Sequence, residues 1–413
     1  MLRHVPTQPR ALGDLSAIVG AEEIARLRTL AAPLKGTRVL HVSSTAFGGG
    51  VAELLYTQVP LMADLGLHVD WRLLEGHEQF FGVTKAMHNG LQGAEIALTG
   101  EEKALYRYVN EQNAEAMPEE YDVVIVHDPQ PAAIRETLAE RSPGTKWIWR
   151  CHIDLTQPSP DVWRFLSDFV GPYDAHVFTL EAFVPPALES PHLALIPPSI
   201  DPLSIKNIAI DDELVHGVIH PYGIDPERPM VLQVSRFDPW KDPTGVIDAF
   251  RIARDEAPGL QLVMIASMAH DDPEGWDYFT RTEEHRAGDA DIFLLSNLQE
   301  VGALAVNAFQ RAADVVLQKS LREGFGLTVT EALWKRKPVI GGNVGGIRLQ
   351  IRDSETGYLV DSVEQCAARV IELLGDPARG RALGEAGRAL VRDRFLTTRS
   401  LRDYLTLFAA LLS

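Results

Sequence analysis

Short runs rich in valine, isoleucine and leucine alternate with amphipathic segments along most of the chain, and this pattern strongly restricts the fold. Near-continuous apolar strands separated by helices are typical of a parallel sheet that is covered on both faces. The pattern occurs in two series. The predicted strands are 38–44, 69–74, 122–127, 146–152, 175–180 and 193–197, and then 230–235, 261–266, 291–295, 314–318 and 338–341.

A proline-rich segment separates the two series. Residues 196–202 read I-P-P-S-I-D-P, and irregular sequence continues to Pro229, so we expect a hinge there. A chain of 413 residues also exceeds the size at which one core normally keeps growing. We predict an α/β protein with two doubly wound, Rossmann-like domains, 1–215 and 216–395. Their carboxyl sheet edges face each other across a cleft, and a helix over 396–413 packs back on the first domain.

The composition excludes several classes of function. Acidic residues number 57 and basic residues 39, a net charge of −18, whereas nonspecific nucleic-acid binding needs a basic surface. The two cysteines, Cys151 and Cys366, imply no disulfide framework and fit a reducing compartment. No apolar run approaches the ~20 residues that span a bilayer, and the amino terminus lacks an apolar signal core. We therefore expect a cytoplasmic protein with small-molecule substrates that binds neither nucleic acid nor membrane.

The motif with most chemical content is R-E-G-F-G-L-T-V-T-E, residues 322–331, which follows a predicted strand and opens a helix. Glu323 can accept hydrogen bonds from sugar hydroxyls, and Glu331, about two turns into the helix, can face a ribose. Backbone N–H groups at this sheet edge are free to bind an anion. The alternative is a plain helix start with one capping and one solvated glutamate. The other predicted substrate contacts here are Gly324, Phe325, Gly326, Leu327 and Thr328.

Two cations follow the first strand of the second series, in the sequence V-S-R-F-D-P-W-K at 234–241. Arg236 lies just past the strand end, and Lys241 comes five residues later. A guanidinium and an ammonium at the carboxyl edge of a sheet can hold a diphosphate and stabilise a departing nucleotide. Two solvated surface cations are the alternative. Because Glu323 lies in the same half of the chain, we predict that all three residues are catalytic.

In the first series, polar residues follow two strand ends, in V-H-D-P-Q-P at 126–131 and W-R-C-H-I-D at 149–154. Strand ends of this kind position substrates. We predict Asp128 and His152 as catalytic residues and Asp154 as a substrate contact. The last two residues are half of a possible metal site, but no third and fourth ligand follow at suitable spacing.

We therefore expect no metal site and no cofactor apart from the co-substrate. Asp289 and Asp291 mimic a metal-binding D-x-D pair. They precede a strand rather than end one, so they are interpreted as a solvated loop.

A glycine-rich turn, T-A-F-G-G-G-V at 45–51, follows the first strand and opens a helix. We predict that Gly49 and Gly50 let a substrate approach the backbone closely. A dinucleotide-binding function is the alternative. The spacing is not G-x-G-x-x-G, and Asp70 lies at the start of the second strand, where it cannot reach a ribose.

Residues 75–93 carry more hydrogen-bonding groups than a simple connection requires, which suits recognition of a polyol acceptor. Lys85 and Asn89 are the predicted contacts; an ordinary loop and helix packed on the sheet is the alternative. In the second series, we expect the donor's base near Ser296 and Asn297, in a pocket whose base preference the sequence leaves open.

Taken together, these residues resemble the retaining GT-B glycosyltransferases of the glycogen-synthase-like group, which share the Glu-x7-Glu element and the Arg–Lys pair. Within that group, F-G-G-G-V-A-E at 47–53 and F-F-x-V-T-K-x-x-H-N-x-L-Q-G at 80–93 are similar to the glycosyltransferring trehalose synthases, as are D-P-Q at 128–130 and His152. The resemblance implies a GT-B fold and transfer of glucose from a nucleoside diphosphate glucose to C1 of glucose, giving α,α-trehalose. Whether synthesis or cleavage is preferred stays open.

Other functions stay open beside this one. Trehalose phosphorylases share these motifs but are typically longer, so phosphorolysis is the second interpretation. A nucleotide-sugar epimerase and a noncatalytic sugar-nucleotide sensor are the remaining alternatives. The frequency of dimers among soluble oligomers favours a homodimer.

The resemblance also implies roles for single residues. Arg236 and Lys241 would bind the donor diphosphate, Glu323 the transferred glucose and Glu331 the ribose. Gly326, Leu327 and Thr328 would offer backbone donors, Gly49 and Gly50 would contact phosphate and acceptor, and Asp128 and His152 would orient the glucosyl unit.

Overall fold

The computed structural model describes residues 2–47, 49–117, 120–139, 141–266, 268 and 273–413. The chain divides into two compact units, Met1–Pro198 with Thr397–Ser413, and Ser199–Leu396. Each unit is built on its own sheet with flanking helices, which confirms the predicted α/β class. In the described part of the chain, no helix is both long and apolar enough to cross a membrane.

The first unit contains a seven-stranded sheet. Its strands are β1, Arg3–His4; β2, Arg38–Ser43; β3, His68–Leu73; β4, Val123–His127; β5, Lys146–Arg150; β6, Ala175–Phe178; and β7, Leu193–Leu195. They lie in the order β1-β3-β2-β4-β5-β6-β7. Only the β1–β3 pair among them is antiparallel. The register of β4 and β5 places His127 beside Arg150, so the side chains that follow both strands meet at one sheet edge.

The second unit contains a six-stranded, parallel sheet. Its strands are β8, Met230–Val234; β9, Gln261–Ala266; β10, Ile292–Ser296; β11, Val315–Gln318; β12, Val339–Gly342; and β13, Tyr358–Val360. They lie in the order β10-β9-β8-β11-β12-β13. Because β8 pairs with β11, the segments that follow these two strands come together.

Helices connect the strands in both units. In the first unit they are α1, Ser16–Val19; α2, Ala21–Ala31; α3, Gly50–Asp64; α4, Glu78–Leu91; α5, Gly100–Glu115; α6, Ile134–Leu138; and α7, Pro160–Val170. In the second unit they are α8, Asp212–Ile219; α9, Pro243–Glu256; α10, Pro273–Arg286; α11, Ala303–Ala312; α12, Leu327–Trp334; α13, Ile347–Gln350; α14, Val363–Gly375; and α15, Pro377–Arg394. The last helix, α16, Thr397–Leu412, belongs to the first unit.

Local sequence signals explain several helix boundaries. Thr99 and Glu102 form a reciprocal capping box at the start of α5. Proline stands at the start of α7, α9 and α15, where its missing N–H costs no intrahelical hydrogen bond. In α7, five apolar side chains at helical spacing are buried against the sheet.

The compact units divide at Pro198, whereas the sequence pattern placed the boundary near residue 215. Long-range hydrogen bonds explain the difference. Asn307 Nδ2 donates to the carbonyls of Ile205 and Ile208 at 2.8 and 3.0 Å, and Lys335 Nζ donates to Asn207 Oδ1 at 3.0 Å. These bonds tie the proline-rich segment to the second unit.

The final helix is held to the first unit by polar and apolar contacts. Gln58 Nε2 donates to Ser400 Oγ at 2.7 Å, and Arg402 forms an ion pair with Glu23 at 3.1 Å. Apolar side chains of α16, among them Leu401 and Leu405, are fully buried.

Candidate active site

Glu323 lies between β11 and α12, and three donors surround one oxygen of its carboxylate. Oε2 accepts hydrogen bonds from Lys241 Nζ at 2.5 Å, Ser320 Oγ at 3.2 Å and Gln318 Nε2 at 3.3 Å. Within the described residues, Oε1 has no hydrogen-bond partner. Hydrogen bonds to a carboxylate are stronger than neutral ones. The side chain is therefore oriented through one oxygen, and the other is left to accept from a ligand.

Asp238 links the two predicted cations. Its Oδ1 accepts the backbone N–H groups of Trp240 and Lys241 at 3.0 and 3.2 Å, which caps a short 3-10 helix. Its Oδ2 lies 3.0 Å from Nη2 of Arg236, whose side chain is about half exposed. Arg236, Lys241 and Glu323 therefore belong to one charged network at the carboxyl edge of the second sheet.

Sequence reasoning missed three members of this network, Asp238, Gln318 and Ser320. All three lie within five residues of a predicted catalytic residue. A polar side chain at the end of an otherwise apolar strand, as in V-V-L-Q at β11, was the available signal for the second of them.

Two glycines shape the loop that carries Glu323. Gly326 has a φ of +81°, a left-handed conformation that side chains disfavour, and it immediately precedes α12. Gly346 donates its N–H to the carbonyl of Glu323 at 3.0 Å, and a Cβ at this position would lie 2.4 Å from the Gly324 oxygen. Gln350 Nε2 donates to the Phe325 carbonyl at 2.5 Å. The loop is thus held through its backbone, and sequence reasoning did not identify these contacts.

The predicted contacts on α12 have partners inside the second unit. Thr328 Oγ1 donates to the carbonyl of Val234 at 3.0 Å, and Leu327 is half-buried at the start of the helix. Glu331 is only 3% exposed. One of its oxygens lies 3.6 Å from Lys206 Nζ, and the other accepts from Gln310 Nε2 at 3.3 Å. The solvated glutamate of the alternative interpretation is therefore excluded, and contact of this residue with a ribose stays a prediction.

Asn297 is bonded to the backbone of Met268 in both directions. Met268 N–H donates to Oδ1 at 2.6 Å, and Nδ2 donates to the Met268 carbonyl at 3.0 Å. Ser296 caps the short helix that follows β10 together with Gln299. Here the amide of Asn297 supports the end of the β9 segment; its contact with a nucleobase stays a prediction.

In the first unit, Asp128 joins the two predicted strand ends. It follows β4 with a φ of +64°, and its Oδ1 accepts the backbone N–H of His152 at 2.7 Å. Burial raises the pKa of the Asp128 carboxyl to about 7, although the His152 N–H and the charge of Arg150 oppose the shift. The structure thus brings Asp128 and His152 together, and their contact with a sugar stays a prediction.

Three histidines form a stacked chain beside this pair. His41 Nδ1 lies 3.0 Å from His127 Nε2, and His127 Nδ1 lies 3.0 Å from His152 Nε2. Both neighbouring ring pairs have centroids 5.3 Å apart. Burial lowers the pKa of His41 to about 3 and the pKa values of His127 and His152 well below the ordinary range. The three histidine rings are therefore neutral at physiological pH.

Sequence reasoning missed the roles of His41 and His127. A histidine inside an apolar strand was the signal, but only the pairing of β2 with β4 shows that the two rings meet.

Asp154 is turned toward its own loop. Its Oδ1 accepts the N–H and hydroxyl of Thr156 at 3.0 and 2.5 Å, and the side chain is 3% exposed. This is the geometry of an Asx turn. In this structure the residue stabilises the loop after β5, and a substrate contact stays a prediction.

The polar stretch after β3 is mostly helical. Lys85 and Asn89 lie one turn apart on α4, both half-buried, so they share a helix face. Gly49 and Gly50 mark the start of α3 as expected. Gly48, in the middle of the predicted glycine turn, lies outside the described residues.

The described residues include no group of three or more His, Cys, Asp or Glu side chains arranged to hold a metal ion. Asp289 and Asp291 lie in the loop before β10, as expected, and both side chains are partly exposed, but each also forms an ion pair. The first forms an ion pair with Arg254 at 2.8 Å and the second with Arg228 at 2.5 Å. Two arginines from neighbouring elements neutralise these carboxylates, a contact that sequence spacing does not reveal.

Comparison with known structures agrees with the double-sheet architecture. The sucrose-phosphate synthase of Thermosynechococcus elongatus has a TM-score of 0.71 at 19% identity, covering 91% of this chain and 100% of that one. A UDP-forming α,α-trehalose-phosphate synthase from Burkholderia xenovorans has a TM-score of 0.73 at 16% identity, with coverage of 91% and 100%. At such identities the likeness shows the fold alone. The family description "Glycosyl transferases group 1" matches residues 219–390. The protein is a glycosyltransferase with the GT-B fold.

The amino-terminal half identifies the family more narrowly. The description "Trehalose synthase, N-terminal domain" matches residues 41–185, and the chain is 52% identical to the trehalose synthase of Rubrobacter xylanophilus over 100% of both proteins. The chain belongs to the trehalose synthase family. It is also 46% identical to the trehalose synthase of Pyrococcus horikoshii, over 97% of each chain. A trehalose phosphorylase from Pleurotus pulmonarius is 28% identical over 90% of this chain, but over only 57% of that protein.

Proposed function

We propose that this enzyme transfers glucose from a nucleoside diphosphate glucose to free glucose, with retention at the anomeric carbon, to form α,α-trehalose. The network around Glu323 carries the proposal. Its Oε2 is held by Lys241, while Oε1 has no partner in the described part of the chain. A carboxylate fixed in this way suits the hydroxyls of a hexose, and an adjacent ammonium suits a phosphate.

The donor diphosphate binds at the carboxyl edge of the second sheet. The whole chain carries a charge of −18, so an anionic donor needs local positive charge. Arg236 and Lys241 supply it, and the positive end of the α12 dipole adds to it. Arg236 is about half exposed, and within the described ranges its one ion pair is made through Nη2. It can therefore reorient toward a phosphate at small cost.

The reaction proceeds on the front face of the transferred glucose. A double displacement needs a carboxylate beneath the anomeric carbon, and the sequence nominates none. Instead, the bond from C1 of the donor glucose to the diphosphate oxygen breaks as the acceptor hydroxyl attacks from the same side. The departing phosphate oxygen takes the proton of that hydroxyl. Lys241 and Arg236 stabilise the negative charge of the leaving group, and catalysis depends mainly on positioning.

Asp128 and His152 orient the transferred glucosyl unit in this proposal. The contact between the Asp128 carboxylate and the His152 backbone holds both groups at one strand edge. The neutral ring of His152 has one donor and one acceptor nitrogen, so it can form a hydrogen bond with a sugar hydroxyl. No step of this mechanism uses a metal ion, so activity should be unchanged in EDTA.

Product analysis tests the proposal. The protein is incubated with ADP-, UDP- or GDP-glucose plus glucose, with and without phosphate, and the disaccharide is identified by NMR. We expect α,α-trehalose and one equivalent of nucleoside diphosphate, without a need for phosphate. An inverted linkage, or no disaccharide with any donor, would contradict it.

Phosphorolysis is the second candidate, because a trehalose phosphorylase is 28% identical to this chain. Release of glucose 1-phosphate from trehalose and phosphate, with no reaction from any nucleotide sugar, would favour it. The full-length match to the trehalose synthases supports the transferase.

A further inference from the structure

Arg150 is a buried cation at the carboxyl end of β5. Its side chain is 1% exposed. Nη2 donates to the carbonyl of Ile196 at 2.7 Å, while Nε and Nη1 are buried without a hydrogen-bond partner among the described residues. Those two nitrogens carry three N–H bonds. A buried guanidinium is costly when most of its donors have no protein acceptor, because nothing among the described residues then compensates for the lost hydration.

A small pocket of the first unit adjoins this guanidinium. Its volume is ≈ 10 Å³, and its polar lining is formed by Arg150, His127, His152, Gln58, Ser400 and Tyr404. None of these side chains is a carboxylate. Ser400 Oγ accepts from Gln58 Nε2 at 2.7 Å, so its own O–H can donate. The phenol of Tyr404 can donate as well. The pocket thus presents donors and one positive charge.

Among the described residues, no carboxylate forms an ion pair with Arg150, although Asp128 is near enough for the charge of Arg150 to lower its pKa. The histidines are neutral because burial lowers their pKa values. A second arginine, Arg399, is near enough for the two positive charges to repel each other, and it has its own counterion, Asp403, at 2.6 Å. The Asp128 carboxylate is engaged with the backbone N–H of His152, and the described structure contains no ion pair between it and Arg150.

We propose that this pocket binds one small inorganic anion of the size of chloride, on Nε and Nη1 of Arg150 and the hydroxyls of Ser400 and Tyr404. A volume of ≈ 10 Å³ is close to the minimum for one water-sized group. A monatomic halide is only slightly larger than water and needs a small adjustment of the lining, whereas phosphate and sulfate carry four oxygens around the central atom and need much more space. The anion supplies the missing counterion and the missing acceptor together. All the residues of this site belong to the first unit, and the proposal does not depend on which sugar is transferred.

Halide titration of the wild-type protein tests the site without any mutation. The protein is exchanged into sodium gluconate, and gluconate is replaced by chloride or bromide at constant ionic strength. Because a ligand of the folded state stabilises it by mass action, we expect a saturable rise in Tm of about 2–4 °C. Crystals soaked in bromide should show an anomalous peak beside the Arg150 guanidinium. A featureless pocket in bromide and equal Tm values in chloride and gluconate would show that water alone fills it.

Variants locate the response. Arg150→Gln removes the charge and should abolish the saturable rise, whereas Arg164→Gln, which removes an exposed guanidinium from α7, should retain it. Because loss of a buried residue can prevent folding, Ser400→Val provides a second variant. It fills the pocket, keeps Arg150 and should also lose the halide response. A full response in either pocket variant would overturn the assignment.

Discussion

The ammonium of Lys241 lies 2.5 Å from Oε2 of Glu323, and both side chains are largely buried. Lys241, which we assign to the leaving diphosphate, is therefore held by Glu323, which we assign to the transferred glucose. In a partly buried site, each charge lowers the cost of desolvating the other. Binding of a donor phosphate adds a second anion to the same ammonium, so donor binding and the orientation of Glu323 are coupled.

Lys241→Ala should reduce kcat/KM by about 10²–10³-fold, because it removes a charge that stabilises the leaving group. Activity is measured with saturating glucose and varied donor, and folding by thermal unfolding. Lys35→Ala, at an exposed position of the first unit, is the control and should be unchanged. A well-folded Lys241→Ala enzyme with wild-type turnover would rule out the proposed role.

Gly346→Ala should displace the loop that carries Glu323. The new Cβ would lie 2.4 Å from the Gly324 oxygen and the Phe325 Cα, both backbone atoms. We expect a loss of about 1–3 kcal/mol in unfolding free energy and a fall in kcat/KM of about tenfold or more. Both are measured in parallel, by urea unfolding and steady-state kinetics.

The matched control for this change is Gly217→Ala in α8. An added Cβ there has no neighbour within 4 Å, and alanine stabilises a helix interior by about 1 kcal/mol relative to glycine. The control should be as stable as the wild type or more so, with normal activity. Equal behaviour of the two variants would mean that the Gly346 contact does not hold the loop.

Asp128→Asn should become more stable relative to the wild type as the pH rises. A carboxyl whose pKa is raised on folding favours the folded state below its unfolded pKa of about 3.9. That contribution is lost as the pH rises through the folded value of about 7. Asparagine does not ionise and tolerates the left-handed backbone of this position. Urea unfolding at pH 5 and pH 8 should show the difference growing by about 1 kcal/mol or more; a constant difference would contradict the raised pKa.

His41→Phe should destabilise the first unit by about 1–3 kcal/mol, because it leaves His127 Nε2 buried without a partner. His41→Asn places an amide near the lost Nδ1 and should recover part of that loss. Burial lowers the pKa of His41 to about 3. Below pH ~6.5 this histidine is therefore protonated in the unfolded chain but not in the folded protein, and wild-type stability decreases as the pH is lowered. The phenylalanine variant should show a shallower fall in urea unfolding between pH 7 and pH 5. Identical slopes would show that His41 does not contribute.

The strand pattern was readable because hydrophobic periodicity is local. The predicted strands at 38–44 and 230–235 correspond to β2 at Arg38–Ser43 and β8 at Met230–Val234. The two-residue β1 and three-residue β13 are too short for a periodic signal, and both are defined by pairing with a neighbouring strand. The aromatic and polar stretch at 75–93 is largely the helix α4, Glu78–Leu91, and its contact with an acceptor stays a prediction.

The donor network was predictable in part for a related reason. Arg236, Lys241 and Glu323 each lie just past a strand of the same sheet, and carboxyl ends of parallel strands share one edge. Their support was not predictable in this way, because Gly346 and Gln350 come from a segment beyond the next strand. The histidine chain shows the same limit, since His41 and His127 are 86 positions apart.

Residue order along the chain was enough to establish two α/β sheets, the motif at 322–331 and its likeness to sugar-nucleotide transferases, since each depends on contacts between near neighbours. Tertiary packing was needed to pair β8 with β11, to assign residues 199–215 to the second unit, and to bury two nitrogens of Arg150 without a hydrogen-bond partner among the described residues. Strand order and burial arise from hydrogen bonds and packing between segments far apart in the chain, which no local periodicity encodes.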